Sequence, residues 1–319
     1  MTASVPLLVG AIVAGWLIPA MLRKLDMRRV DPTILLIAWL TAAVSVLATA
    51  AIGAIVPLLP SHQPDTAGIV AALTDCWEGI TEDTAPAVEA IAGLLGMGFV
   101  LVALARLAVI AVRRARTRAR TRREHLVALR LSARCEGHSP AMLWLTHDRP
   151  MAFSFGGRPG VVVATEGLRR HLTPAEVRAV LAHERAHLRG RHHVLIATVQ
   201  ALAEALPFVP LLRELPAAVR SLVELAADGA AVRACGADAV RSALAGLAGH
   251  GTPHGALAMA NHDLELRLAR LSRSAAGPAG RVRRVVAGVM TGSGTLSLPT
   301  IAGTVLISTL AMAICPFTP

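Results

Sequence analysis

The sequence has no tyrosine at all, and phenylalanine and tryptophan together bring the aromatic content to only 3%. Surfaces that bind single-stranded nucleic acid stack bases on aromatic rings, and this chain has few to offer. The net charge of +11 therefore has to be judged by where it lies. Much of it sits in Arg23-Lys24, Arg28-Arg29, the segment 113–123 and the segment 281–284. All of these border apolar runs, where membrane proteins carry the charges that orient them, so no direct nucleic-acid partner is expected. The four cysteines, Cys76, Cys135, Cys235 and Cys315, are far apart and match neither a disulfide framework nor a zinc ribbon. Charged residues make up 17% against 54% hydrophobic, with a mean hydropathy of +0.56. That balance excludes an ordinary soluble enzyme. No internal repeat is visible.

What the chain does have is long apolar runs with ordered flanks. Residues 5–22 are of bilayer length and are followed, not preceded, by arginine and lysine, the reverse of a secretory signal. They read as a retained span with its N-terminus outside. Residues 33–59 form a second span and 88–112 a third. Between these two, the loop 60–87 carries Asp65, Asp75, Glu78, Glu82 and Asp83 with no lysine or arginine, which suits the outer face. Seven arginines between 113 and 123 then form a basic juxtamembrane segment on the cytoplasmic side. Residues 142–146, 151–155 and 161–165 read as short strands, and 156–160 as a turn. The run 194–212 is nearly long enough to cross, but Gln200, Glu204, Pro207 and Pro210 interrupt it. It reads as a buried or surface helix, or at most a hairpin that returns. Helices are expected over 213–234, 237–247 and 264–272, and a fourth span over about 296–315, within 291–319.

The chemistry is concentrated in residues 172–193. Thr173, Pro174 and Glu176 predict an N-cap, an N1 proline and the glutamate of a capping box. Val177, Val180, Leu181, Ala182 and Leu188 recur at helical spacing, and Gly190 marks the end. His183-Glu184-Arg185-Ala186-His187 lies two turns into that helix. Positions i and i+4 share a face, so both imidazoles can reach one metal, with Glu184 placed to act on water as general base. A catalytic zinc needs three protein ligands and an open position. Glu224 is the best third candidate, on a separate apolar helix. Asp228, one turn on, would hold the outward N–H of a ligating histidine. Arg267 reads first as a helix-surface charge and second as a transition-state or substrate contact. His192 and His193 fall past the helix end and read as headgroup-level or substrate-side polar groups. Without tyrosine, an oxyanion stabiliser would have to be a histidine, an arginine or the zinc alone. A metal-free scaffold with structural histidines is the competing reading from another class.

Taken together, the spans, the His-Glu-Arg-Ala-His helix and the later Glu224-Leu-Ala-Ala-Asp228 resemble the integral-membrane gluzincin peptidases of the BlaR/MecR type. These are related to the HtpX and CAAX-prenyl protease group. Residues 152–157 and 161–167 and the Leu-Thr-Pro-Ala-Glu-Val lead-in are similar to that family's stretch before the zinc helix. Arg267-Leu268 and Leu271 are similar to its late Arg-Ile-x-x-Leu element. The resemblance implies a mainly α membrane protein in which a cytoplasmic α+β gluzincin (zincin-like) metallopeptidase domain, 113–290, lies between the third and fourth of four transmembrane helices. It implies Zn2+ held by His183, His187 and Glu224, with Glu184 as base, in a multi-pass protein of the cell membrane. For the antibiotic-sensor members it also implies cleavage of the receptor itself or of a repressor. Only a few residues follow the fourth span here, so no penicillin-binding domain is expected and a β-lactam receptor role is not. Expected partners are a protein substrate, a transcriptional repressor among the candidates, the lipid bilayer and a second copy of the chain. The alternative within the same chemistry is an HtpX-like quality-control protease.

Overall fold

Two apolar helices open the chain in a computed structural model, which describes residues 4–27, 30–55, 86–136, 141–248 and 257–273. The expected fourth span and nearly all of the expected outer loop lie outside the described residues. Helix α1 (Ser4–Arg23) and helix α2 (Pro32–Ile55) form an antiparallel pair. Asp31 starts α2 by accepting the Thr33 amide at 2.8 Å. The two helices meet through small side chains, Ala11 and Ala14 with Ala38, Ala42 and Ala43, and Trp39 is the largest buried residue between them. Among the described residues two helical stretches are long and apolar enough to cross a membrane, Pro32–Ile55 and Leu94–Val127, and Leu7–Arg23 is a shorter apolar helix.

The third expected span and the basic segment after it are one element. Helix α3 (Pro86–Ser132) runs unbroken for 47 residues, about 70 Å. Its apolar half leaves Leu94, Leu95, Phe99, Leu101, Val102, Leu104, Val109 and Val112 exposed, as a lipid-facing helix would. Its other end reaches the sheet, where Leu126 is buried with Leu143, Val161 and Val163.

A four-stranded sheet follows, built from β1 (Ala133–Glu136), β2 (Ala141–Leu145), β3 (Ala152–Phe155) and β4 (Val161–Thr165) in the order β1-β2-β4-β3. β4 is central and wholly buried, parallel to β2 and antiparallel to β3. Among the described residues β3 is thus an edge strand with one side unpaired. Strand β1 and the short helix α4 (Glu166–His171) had no clear sequence signal.

Helix α5 (Pro174–Arg189) has the expected start. Both halves of its capping box form, with the Thr173 amide donating to Glu176 Oε2 at 2.8 Å and the Glu176 amide donating to Thr173 Oγ1 at 3.4 Å. The run 194–212 resolves into a hairpin. Helix α6 (His192–Ala205) stops ahead of Pro207, and α7 (Pro210–Cys235) returns. The turn between them reaches α1 and α3, for Val209 packs against Gly15 and the Phe208 ring lies 6.0 Å from Phe99. Arg106 and Arg114 of α3 hold α6. Arg106 Nη2 donates to the Glu204 carbonyl at 3.1 Å, and Arg114 Nε donates to the Glu204 carboxylate at 2.7 Å. Helices α8 (Ala237–Ala248) and α9 (Leu257–Arg273) complete the described chain.

Two cores result. One joins α1 and α2 to α6 and the first half of α7, through Leu211, Leu212, Leu215, Val219, Leu222 and Val223. The other joins the sheet to α5, α8, α9 and the end of α7. Replacing Thr173 by alanine should cost about 1 kcal/mol and lower the thermal unfolding midpoint in detergent, whereas Thr173→Ser should keep it.

Candidate metal centre

His183 and His187 lie one turn apart on α5, on the face turned to α7, and Glu224 and Asp228 lie one turn apart on α7. Helix packing brings the four together at the boundary of the two cores. His183 Nε2 and His187 Nε2 are 3.0 Å apart. Glu224 presents Oε2 at 3.4 Å from the first and Oε1 at 3.3 Å from the second. Ligand atoms about 2.0–2.1 Å from a tetrahedral zinc are about 3.3 Å from one another, so the three donors already have the edges of such a site. Two neutral imidazoles and one carboxylate are also the donor set that suits a borderline divalent cation.

Behind the donors each histidine has a second partner. His183 Nδ1 is 2.9 Å from Asp228 Oδ1, which fixes Nε2 toward the metal position. Asp228 is only 4% exposed, and its charge is met by Arg267, with Nε and Nη2 each donating at 2.7 Å. Arg267 is therefore not a plain helix-surface charge. It is committed to Asp228, and its Nη1 is 3.7 Å from Glu224. His187 Nδ1 lies 2.9 Å from His192 Nδ1. His192 is buried behind His187 and so is not a headgroup-level polar group. The cause is the turn at Gly190-Arg191, where Arg191 adopts a left-handed φ of 48° and folds the start of α6 back onto the end of α5.

The electrostatics agree with this geometry. Burial works against a charged His183, but hydrogen bonds to Asp228 and Glu224 outweigh it and raise its pKa to about 9. A proton there answers the carboxylates' demand for positive charge, which a divalent cation would meet instead. Burial also opposes the Asp228 carboxylate, yet the Arg267 and His183 bonds hold it down at about 2. Burial, then the His187 charge, lowers His192 to about 4, so it stays neutral and can accept the His187 N–H. Burial raises Glu184, whose carboxylate faces the Ser154 hydroxyl on edge strand β3. A base shifted toward neutrality beside an open strand is suited to proton transfer.

Residues 117–275 match the family model of Peptidase family M48. The matched stretch holds every residue of the cluster. Similar proteins include a Protease HtpX homolog of Syntrophobacter fumaroxidans, 41% identical over 73 residues, 22% of this chain and 26% of the relative. Another of Methylibium petroleiphilum is 40% identical over 73 residues, covering 22% and 25%. A third, of Aquifex aeolicus, is 35% identical over 88 residues, covering 27% and 29%. The matched stretch thus spans between a quarter and three-tenths of each relative's length. No solved structure matches the chain. These likenesses support a membrane-associated metallopeptidase related to the M48 family.

Because the metal-free site holds a proton on His183, metal binding must release it. Affinity for Zn2+ should rise about tenfold per pH unit between pH 6.5 and 8.5, as measured by chelator competition. Replacing His192 by alanine should weaken that affinity about 10–100-fold without unfolding the protein.

Proposed function

We propose that the chain is an integral-membrane zinc endopeptidase, HtpX-like in cutting membrane-associated proteins at the cytoplasmic face. The observation that carries this reading is the meeting of His183, His187 and Glu224, in tetrahedral spacing, with Glu184 beside an unpaired strand edge. His183, His187 and Glu224 hold the zinc, and Asp228 and His192 set the tautomers of the two histidines. Bound there, zinc supplies Lewis acidity, polarising the scissile carbonyl and acidifying the attacking water. Glu184 takes the water's proton on its carboxylate and delivers it to the leaving amine. β3 offers its free N–H and C=O groups to an extended segment, and Ser154 places that segment over Glu184. Such pairing reads backbone and so accepts many sequences, which suits a protease of misfolded membrane proteins.

A second reading, regulated cleavage of a repressor or of the chain itself, draws support from another contact. Arg270, one turn after Arg267 on α9, donates to the carbonyls of Met27 and Val30 at 2.8 and 2.7 Å. The connection between α1 and α2 is thereby linked to the helix that holds Asp228.

In purified full-length protein, Glu184→Gln should keep one zinc per chain while proteolysis in proteoliposomes falls about 10²–10⁴-fold. Glu224→Ala should lose the metal. Proteolysis undiminished in Glu184→Gln would remove the assigned base, and wild type that binds no zinc would sink the enzyme reading. Quantitative proteomics of cells carrying wild type or Glu184→Gln separates the two roles. Many stabilised membrane proteins favour the first, and a single stabilised repressor the second.

A further inference from the structure

The seven arginines of the basic segment do not all face the same way. Arg114, Arg118 and Arg122 recur every four residues in line with the buried Leu126, on the side of α3 turned to the catalytic half. Arg114 is taken up by Glu204 and Gln200. Arg122 lies over Gly157 and donates to the Pro159 carbonyl at 2.9 Å, leaving a buried Nε with no partner. Arg118 is exposed and forms no ion pair among the described residues. Close by, the exposed His193 ring packs on Gly156 so tightly that a methyl group there would overlap it. Arg191, also exposed, is the N-cap of α6, whose first amides receive no side-chain cap.

We propose that Arg118, Arg122, Arg191 and His193, with the N-terminus of α6, form a subsite for an acidic side chain of an extended protein substrate. Three arginines, a histidine and the positive end of a 14-residue helix converge, and no carboxylate pairs with Arg118, Arg191 or His193 among the described residues. The charges act on one another: after burial, Arg118, Arg122 and Arg191 lower the pKa of His193. An anion placed among them is favoured.

Position selects a substrate side chain over a lipid headgroup. The cluster adjoins Gly156, two residues beyond Ser154, which faces Glu184. The arginines on the opposite faces of α3, Arg116, Arg120 and Arg123, are the ones turned away, with Arg120 paired to Glu124. A peptide pairing antiparallel to β3 runs its amino-terminal side toward Gly156, at about 3.3 Å per residue. The acidic residue therefore falls one to three positions before the cleaved bond. This inference rests on the peptidase reading above and adds a specificity to it.

The test uses zinc-loaded full-length protein in phosphatidylcholine nanodiscs and a proteome-derived peptide library. Cleaved peptides should be enriched in aspartate or glutamate at those positions, and Arg118→Glu should abolish or invert the preference while cleavage continues. In Glu184→Gln protein, a cleaved peptide should bind about tenfold more tightly than its Asp→Asn form, a difference absent once Arg118 is replaced by Glu. Cleavage with no acidic preference, or a preference untouched by the charge reversal, overturns the subsite and leaves the peptidase intact. A charge-reversal effect that appears only with phosphatidylglycerol present assigns the cluster to lipid and also overturns it. If wild type cuts no peptide, the peptidase reading fails and the subsite with it.

Discussion

Asp228 is the interaction on which the rest of the centre depends. Its carboxylate is almost fully buried, yet it carries His183 on one oxygen and Arg267 on both. Burying such a charge is unfavourable unless it is paired and hydrogen-bonded, and here an arginine fork and an imidazole do both. Removing the carboxylate would leave a half-buried guanidinium unpaired and a loosened metal ligand together. The same bond brings α9 against α7, and through Arg270 brings α9 against the α1–α2 connection. The cluster that can hold a metal is thereby also a point where distant parts of the chain are fastened.

Helix α7 gives that point its location. Its first half is buried against α1 and α2, its end belongs to the core under the sheet, and Glu224 and Asp228 fall where one core gives way to the other. Arg23 at the end of α1 reaches Glu214 at 2.7 Å, ten residues before Glu224, which sets the cluster about 15 Å further along the helix. The hairpin of α6 and α7 therefore has its turn among the apolar helices, with His192 at the start of α6 and Glu224 midway along α7 at the candidate site.

Much of this was legible in the residues. Thr173-Pro-Ala-Glu176 announced the helix start because capping is local chemistry, written within four positions. The spacing of His183 and His187, and of Glu224 and Asp228, placed each pair on one helix face. The facing of α5 and α7 was inferred only from the chemistry's need for a third ligand. The partner of Asp228 was not legible, since Arg267 is 39 residues away and its sequence context is that of an ordinary amphipathic helix. His192 was misplaced because nothing marks Arg191, a non-glycine residue, as adopting a left-handed φ. Strand β1 was missed because it pairs only at the sheet edge and alternates weakly. The break at 205–210 was visible as prolines, but whether the chain crossed or turned back was decided by packing against Gly15 and Phe99.

The 47-residue helix α3 also bears on how the chain can be divided. No loop separates its apolar half from the half whose Leu126 lies beneath the sheet, and α7 ties the apolar helices to the core that holds α5. The half that carries the metal cluster is not a module on a tether. Cutting before residue 113 would strip α6 and α7 of the apolar faces they lean on and expose Leu211, Leu212 and Leu215 to water. The candidate metal centre is thus packed between the apolar helices and the sheet, and its orientation follows theirs.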